Sequence, residues 1–80
     1  MATLTIEQLV ADARARLELP PPSERRRIRQ AAGVSCADIG TTIGVTRDAV
    51  LKWERGLRLP SPHHARQYGE ILRRLAEVTP

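Results

Sequence analysis

The segment CADIGTTIGVTRDAVLKWERG, from Cys36 to Gly56, carries the strongest structural signals in this chain. Two short helices can cross at a steep angle only if the first carries a very small residue at the crossing and the turn accepts a positive φ. Gly40 and Gly44 stand at those two positions. Apolar residues flank the turn at helical spacing, namely Ile39, Ile43, Val45, Val50 and Trp53. The pattern predicts a helix-turn-helix over residues 36–55, with Thr46 capping its second helix.

Capping signals and apolar spacing predict a separate helix near the N-terminus. Thr5 and Gln8 have the spacing of a capping box. One face of the helix that follows carries the apolar residues Ile6, Leu9, Val10, Ala13 and Leu17. Pro20, Pro21 and Pro22 end the helix and form a stiff link. We therefore divide the chain into an N-terminal amphipathic helix with a proline linker, residues 1–22, and a helix-turn-helix domain with a C-terminal helix, residues 23–80.

Two further helices are predicted on either side of the helix-turn-helix. Ser23 is a candidate cap for a helix that runs to about Ala32. That helix is poor in apolar residues, so we expect the N-terminal helix to cover it. The last helix begins near Pro62, and its apolar stripe consists of Tyr68, Ile71, Leu72, Leu75 and Val78. This stripe is larger than a small core requires, so we expect a dimer surface there, with the N-terminal helix as the second candidate.

Length and composition limit the fold class. A chain of 80 residues forms one small domain, which buries only about 60% of its unfolded surface. Because the sequence has no Phe, one Trp and one Tyr, its core must consist mainly of Leu, Ile, Val and Ala. Alternating runs of β-branched residues are absent. We therefore expect an all-α, compact bundle of about five helices.

Several classes of protein are disfavoured by the sequence. No stretch approaches the ~18 apolar residues of a membrane span, and the N-terminus lacks a secretory signal pattern. Cys36 is the sole cysteine, and the adjacent His63 and His64 have no further ligand nearby in sequence, so we expect no metal site. No catalytic motif accompanies the Ser, His and Asp residues, so we expect neither an enzyme nor a cofactor or small-molecule ligand. The simplest interpretation is a cytoplasmic protein without membrane contact.

The positive charge is concentrated in the middle of the chain. Residues 1–24 contain two basic and four acidic residues, whereas residues 25–58 contain eight basic and three acidic residues. The whole chain has a formal net charge of +4. A basic segment that coincides with a predicted helix-turn-helix indicates a polyanionic partner.

The segment GVTRDAVLKWERGLRLPSP, from Gly44 to Pro62, resembles the Xre family of lambda-repressor-like and Cro-like regulators. The resemblance extends over residues 25–62 and implies a lambda-repressor-like fold that binds double-stranded DNA. It also implies a structural ion pair between Arg29 and Glu54. Cys36 stands where many members carry Gln. The family further implies a bacterial or phage-encoded protein, associated with the nucleoid when it binds DNA.

By this resemblance, Arg47, Asp48 and Lys52 match the positions that most often touch base edges. Chemically, Arg47 can form a bidentate pair with guanine, and Lys52 can reach guanine O6 or N7. Asp48 can accept a hydrogen bond from cytosine N4, and Leu51 can pack on a thymine methyl group. The candidate phosphate contacts are Thr46, Arg55 and Arg58. Arg25, Arg26 and Arg27 either touch flanking phosphates or form a solvated face.

The sequence favours a sequence-specific transcription regulator, most simply a repressor that binds a palindromic or repeated site as a homodimer. One alternative is a protein-interaction or antitoxin-like module that uses the same fold. Another is a recombination accessory factor of a phage or plasmid, which would use the same DNA contacts. The small size of the chain is typical of regulators of mobile elements, but this association does not distinguish the three functions.

Overall fold

The computed structural model describes residues 5–78, and the prediction of an all-α bundle of five helices is confirmed there. The helices are α1 (Ile6–Leu17), α2 (Pro22–Ala31), α3 (Cys36–Ile43), α4 (Arg47–Glu54) and α5 (Pro62–Val78). Residues 1–4 and 79–80 of the two predicted segments lie outside the described residues. No strand is present within 5–78.

The helix ends follow local sequence signals, with one exception. Thr5 with Gln8 and Ser35 with Asp38 both form complete capping boxes. The prediction that Ser23 caps the second helix is wrong, because α2 already begins at Pro22. Proline has its φ preset for the first helical position and lacks the N–H that a cap would satisfy.

The turn between α3 and α4 shows why two glycines are needed. A Cβ on Gly40 would lie 2.7 Å from the carbonyl oxygen of Val45, so a side chain there would collide with the backbone of the turn. Gly44 ends α3 with φ 90°, a conformation that residues with a Cβ rarely adopt. Both glycines therefore have the roles that the sequence predicted.

The core lies where α5 supports the helix-turn-helix. Its buried apolar residues are Leu19, Ile28, Cys36, Ile39, Val50, Trp53, Ala65, Tyr68 and Leu72. The rings of Trp53 and Tyr68 lie 5.2 Å apart between centroids. Because the chain has no Phe, the large residues of α5 are needed to fill the interior.

The dimer surface predicted on the C-terminal helix is wrong for Tyr68 and Leu72. Both side chains are almost fully buried within their own domain, at 0% and 1% exposure. Ile71 and Leu75 are partly buried and also pack against the core. Of the predicted stripe, Val78 alone is largely exposed. Tyr68 and Leu72 therefore serve the core of their own domain.

Helix α1 packs on α5, and the expectation that it covers the second helix is wrong. An ion pair between Asp12 and Arg66 joins the two helices. Arg16 donates from Nε to the carbonyl oxygen of Pro60 at 3.0 Å, and Leu19 just beyond the helix enters the core. The C-terminal end of α1 is thereby fixed to the turn that precedes α5.

Candidate nucleic-acid interface

Helix α4 has a buried apolar side and an exposed polar side. Val50 and Trp53 face the core, at 0% and 3% exposure. Arg47, Asp48 and Lys52 are all exposed to solvent. Leu51, the fourth residue proposed for base contact, is half-buried and packs partly against the core. The structure therefore brings three of the four predicted base-contact residues to the open surface of one helix, with Leu51 at its edge.

Thr46 begins α4 as the sequence predicted. Its hydroxyl oxygen accepts a hydrogen bond from the backbone N–H of Ala49 at 3.0 Å. The hydroxyl hydrogen can still be donated to an oxygen of a phosphate, and the free N–H groups of the first helical turn point the same way. The geometry of a helix start that can meet a phosphate is thus present at this exposed residue.

Asp48 and Lys52 interact with each other along the exposed side of α4. The Lys52 Nζ lies 3.0 Å from the Asp48 Oδ2, and both side chains are well exposed, at 45% and 67%. An ion pair of this kind one helical turn apart contributes only about 0.3–0.5 kcal/mol. Lys52 can therefore leave Asp48 for a guanine or a phosphate at small cost.

The three consecutive arginines at the start of α2 have three different environments. Arg25 is buried and donates to the carbonyl oxygens of Pro20 and Trp53, each at 2.7 Å. Arg27 pairs with Glu24 on the surface. Arg26 is exposed. The sequence did not reveal the structural role of Arg25, because its partners are backbone carbonyls that only the fold brings near.

Three exposed arginines lie near α4 in the fold or in sequence, one on α2 and two in the segment that follows α4. Arg55 follows the helix directly, and it lines a surface hollow together with Arg26 and Leu51. Arg58 is exposed in the turn that precedes α5. Arg26 and Arg55 thus place positive charge beside Leu51 of α4, and positive charge of this kind can lie against a phosphate backbone. Arg26 joins the predicted phosphate contacts Arg55 and Arg58 as a candidate.

An ion pair between Arg29 of α2 and the buried Glu54 of α4 fixes the orientation of α4. The Arg29 Nε and Nη2 atoms lie 2.5 Å and 2.8 Å from the two carboxylate oxygens of Glu54. Arg29 also donates to the carbonyl oxygen of Val34 at 2.9 Å. Hydrogen bonding to Arg29 lowers the pKa of Glu54 despite its burial. This is the structural pair that the family resemblance implied.

Cys36 belongs to the same buried cluster. Its Sγ lies 3.5 Å from the Glu54 Oε2 and donates a weak hydrogen bond to it. Burial raises the pKa of the Cys36 thiol, and the nearby Glu54 carboxylate raises it further. Reactive cysteines have a lowered pKa, so these surroundings favour a packing role over a redox role.

Two adjacent histidines stand in the first turn of α5, within residues 5–78. The ring centroids of His63 and His64 lie 5.7 Å apart, and the ring of His64 lies 5.8 Å from that of Trp53. In this part of the chain no three His, Cys, Asp or Glu side chains converge in a way that could bind a metal ion. None of the described helices is long and apolar enough to cross a membrane.

Comparison with known proteins agrees with this geometry. The family model of a helix-turn-helix domain matches residues 26–79, which include α3, α4 and α5. No curated protein and no solved structure gives a significant match. Families of this kind are typical of Xre-like and Cro-like DNA-binding regulators and are not typically enzymes. Since the match covers more than half of the 80 residues, this chain belongs to the helix-turn-helix domain family.

Proposed function

We propose that this protein is a sequence-specific transcription regulator, acting as a repressor, that reads the major groove of double-stranded DNA with α4. The observation that carries the proposal is the division of α4 into two sides. Val50 and Trp53 are buried in the core. Arg47, Asp48 and Lys52 are all exposed to solvent. A helix that presents Arg and Lys to solvent, with candidate phosphate contacts at both of its ends, has the chemistry of a recognition helix.

The proposed roles divide into base contacts and phosphate contacts. Arg47 and Lys52 donate to guanine, Asp48 accepts from cytosine, and the exposed part of Leu51 meets a thymine methyl group. Phosphates are held by Thr46, Arg55, Arg58 and Arg26, which fix the register but do not read sequence. Each good base pairing contributes about 1–3 kcal/mol of discrimination.

A domain this small gains affinity and specificity when two copies bind together. We therefore propose that a homodimer binds a palindromic or repeated site, with half-site centres about 10–10.5 base pairs apart. A repressor of this kind acts by occupying its operator, and it needs no further domain for that purpose.

The proposal is tested by selecting from a pool of random duplexes with the wild type and with an Arg47→Ala, Lys52→Ala double variant over a salt series. A matched control is Arg73→Ala, Arg74→Ala, which removes the same charge from α5, outside the helix-turn-helix. We expect the wild type and the control to enrich one motif. We expect the α4 variant to lose roughly 30-fold or more in specific affinity and to keep only weak, salt-sensitive binding.

Two results would count against the proposal. If no motif is enriched, the fold serves a protein partner, as in an antitoxin-like module, and the DNA assignment is wrong. If the α4 variant and the α5 control lose binding equally, only net charge matters, and α4 does not read bases. An enriched motif with two symmetric halves would, in addition, report a dimer on the DNA.

A further inference from the structure

Helix α1 turns its apolar face away from the domain. Ile6 and Leu17 are 81% and 84% exposed, and Leu9 and Val10 are 59% and 48% exposed. The side that meets α5 carries instead Asp12, Ala15 and Arg16, which are half-buried. Surface helices normally have the opposite arrangement, with apolar residues inward and charged residues outward. Clustered apolar side chains on an exposed face indicate an interaction surface.

The spacing of these residues matches the seam of a two-stranded coiled coil. Ile6, Val10, Ala13 and Leu17 are separated by four, three and four residues. They therefore occupy alternating d and a positions over three turns of α1. Leu9 lies beside the seam at a g position, and the small Ala13 permits close approach of a second helix. A helix of the same kind, with the same spacing, fits this seam.

The charges beside the seam select a direction for that second helix. At the e positions stand Glu7 and Arg14, one heptad apart and both exposed. In an antiparallel pair of α1 helices that sets Ile6 against Leu17 and Val10 against Ala13, Glu7 of each copy faces Arg14 of the other. In a parallel pair, Arg14 would face Leu9 and Glu7 would find no cation. The antiparallel arrangement forms two intermolecular ion pairs, and the parallel arrangement forms none.

We propose that α1 is the homodimer interface of this protein, with the two α1 helices packed antiparallel about a two-fold axis between Val10 and Ala13. Such an interface is self-complementary, as closed dimers require. It is small, so we expect reversible association in the micromolar range. The proposal concerns α1, which lies outside the matched helix-turn-helix range and does not depend on DNA binding.

The interface is tested on the full chain by sedimentation equilibrium at low ionic strength, where surface ion pairs are least screened. Glu7→Arg and Arg14→Glu each replace the two attractive pairs with two repulsive ones. We expect each single variant to raise the dimer dissociation constant by about tenfold or more. Mixing the two variants restores both attractive pairs, so we expect a heterodimer about as tight as the wild-type dimer. Glu18→Arg, which makes the same charge change at a b position off the seam, should leave dimerisation unchanged.

The possible results show whether a second copy of this chain or a different protein covers the exposed apolar face of α1. Dimerisation of the wild type, loss in both single variants and recovery on mixing support the proposal. A wild type that remains monomeric up to hundreds of micromolar overturns it and leaves the face for a different protein. The antiparallel arrangement is overturned if Glu7→Arg leaves the dimer dissociation constant unchanged. It is also overturned if a mixture of the two variants does not form a heterodimer. Unchanged helical circular dichroism and thermal unfolding of each dilute variant show that α1 is intact.

Discussion

Helices α1 and α4 are both amphipathic, but they present opposite sides to the solvent. Helix α4 buries Val50 and Trp53 and exposes Arg47 and Lys52. Helix α1 exposes Ile6 and its other large apolar residues while its small and polar side meets α5. The two helices also differ in their attachment, because α4 is tied by the largely buried Arg29–Glu54 ion pair, whereas α1 is held by its Asp12–Arg66 ion pair to α5 and by the hydrogen bond from Arg16 to Pro60.

This difference separates two kinds of surface. Charged side chains on α4 are stable in water, so their exposure alone does not require a partner, and their function rests on position and chemistry. Exposure of the apolar side chains on α1 to water is unfavourable, and a partner that covers them would gain about 25 cal/mol for each Å² buried. Substitutions on the inner side of α4 should therefore change folding stability, whereas substitutions on the outer side of α1 should change association.

The largest expected effect is at the buried attachment of α4. We expect Arg29→Met to lower the free energy of unfolding by about 3 kcal/mol, because it leaves the Glu54 carboxylate buried without its cation. Chemical denaturation of dilute protein at pH 7 measures this. Arg27→Met is the matched control, since its pair with Glu24 is exposed, and we expect little change there. Equal effects of the two substitutions would contradict the assignment of Arg29 as the attachment of α4.

A smaller effect compares the two helices directly through the same substitution. Val50→Ala removes two methyl groups from a fully buried site, and we expect a loss of about 2 kcal/mol in the free energy of unfolding. Val10→Ala removes the same groups from the exposed face of α1, and we expect a change of less than about 0.5 kcal/mol in the dilute monomer. At high concentration, Val10→Ala should instead weaken dimerisation. A large loss from Val10→Ala in the monomer would show that α1 is packed differently.

The smallest expected effect is at Tyr68 of α5, which packs against Trp53 of α4. Its hydroxyl is buried, and within residues 5–78 it has no hydrogen-bond partner. Burial also raises the pKa of Tyr68 to about 12. We expect Tyr68→Phe to stabilise the fold by up to about 1 kcal/mol, since it removes an unsatisfied polar group and keeps the ring. Destabilisation on thermal unfolding would indicate that the hydroxyl has a partner, such as a bound water.

Much of the helix-turn-helix could be predicted from the sequence because its signals are local. A capping residue such as Thr46 acts on the next three residues, and Gly44 acts on a single turn. Gly40 of α3 lies against the backbone of Val45 and Thr46, just before α4. Because the turn between the two helices is short, this contact is also close in sequence and could be predicted. The side of α4 that faces outward follows from helical periodicity once Val50 and Trp53 are placed inside.

The five helices, the position of the turn and the basic residues of α4 could be predicted from the sequence alone, because propensity, capping and periodicity act over a few residues. Which apolar stripes are buried inside the domain became known from the packing of the helices. Tyr68 and Leu72 became core, while the apolar face of α1 stayed exposed. It also gave Arg25 a buried role that its neighbour Arg26 lacks. Burial depends on neighbours that are distant in sequence, whereas periodicity shows only that a helix has an apolar side and not which element covers it.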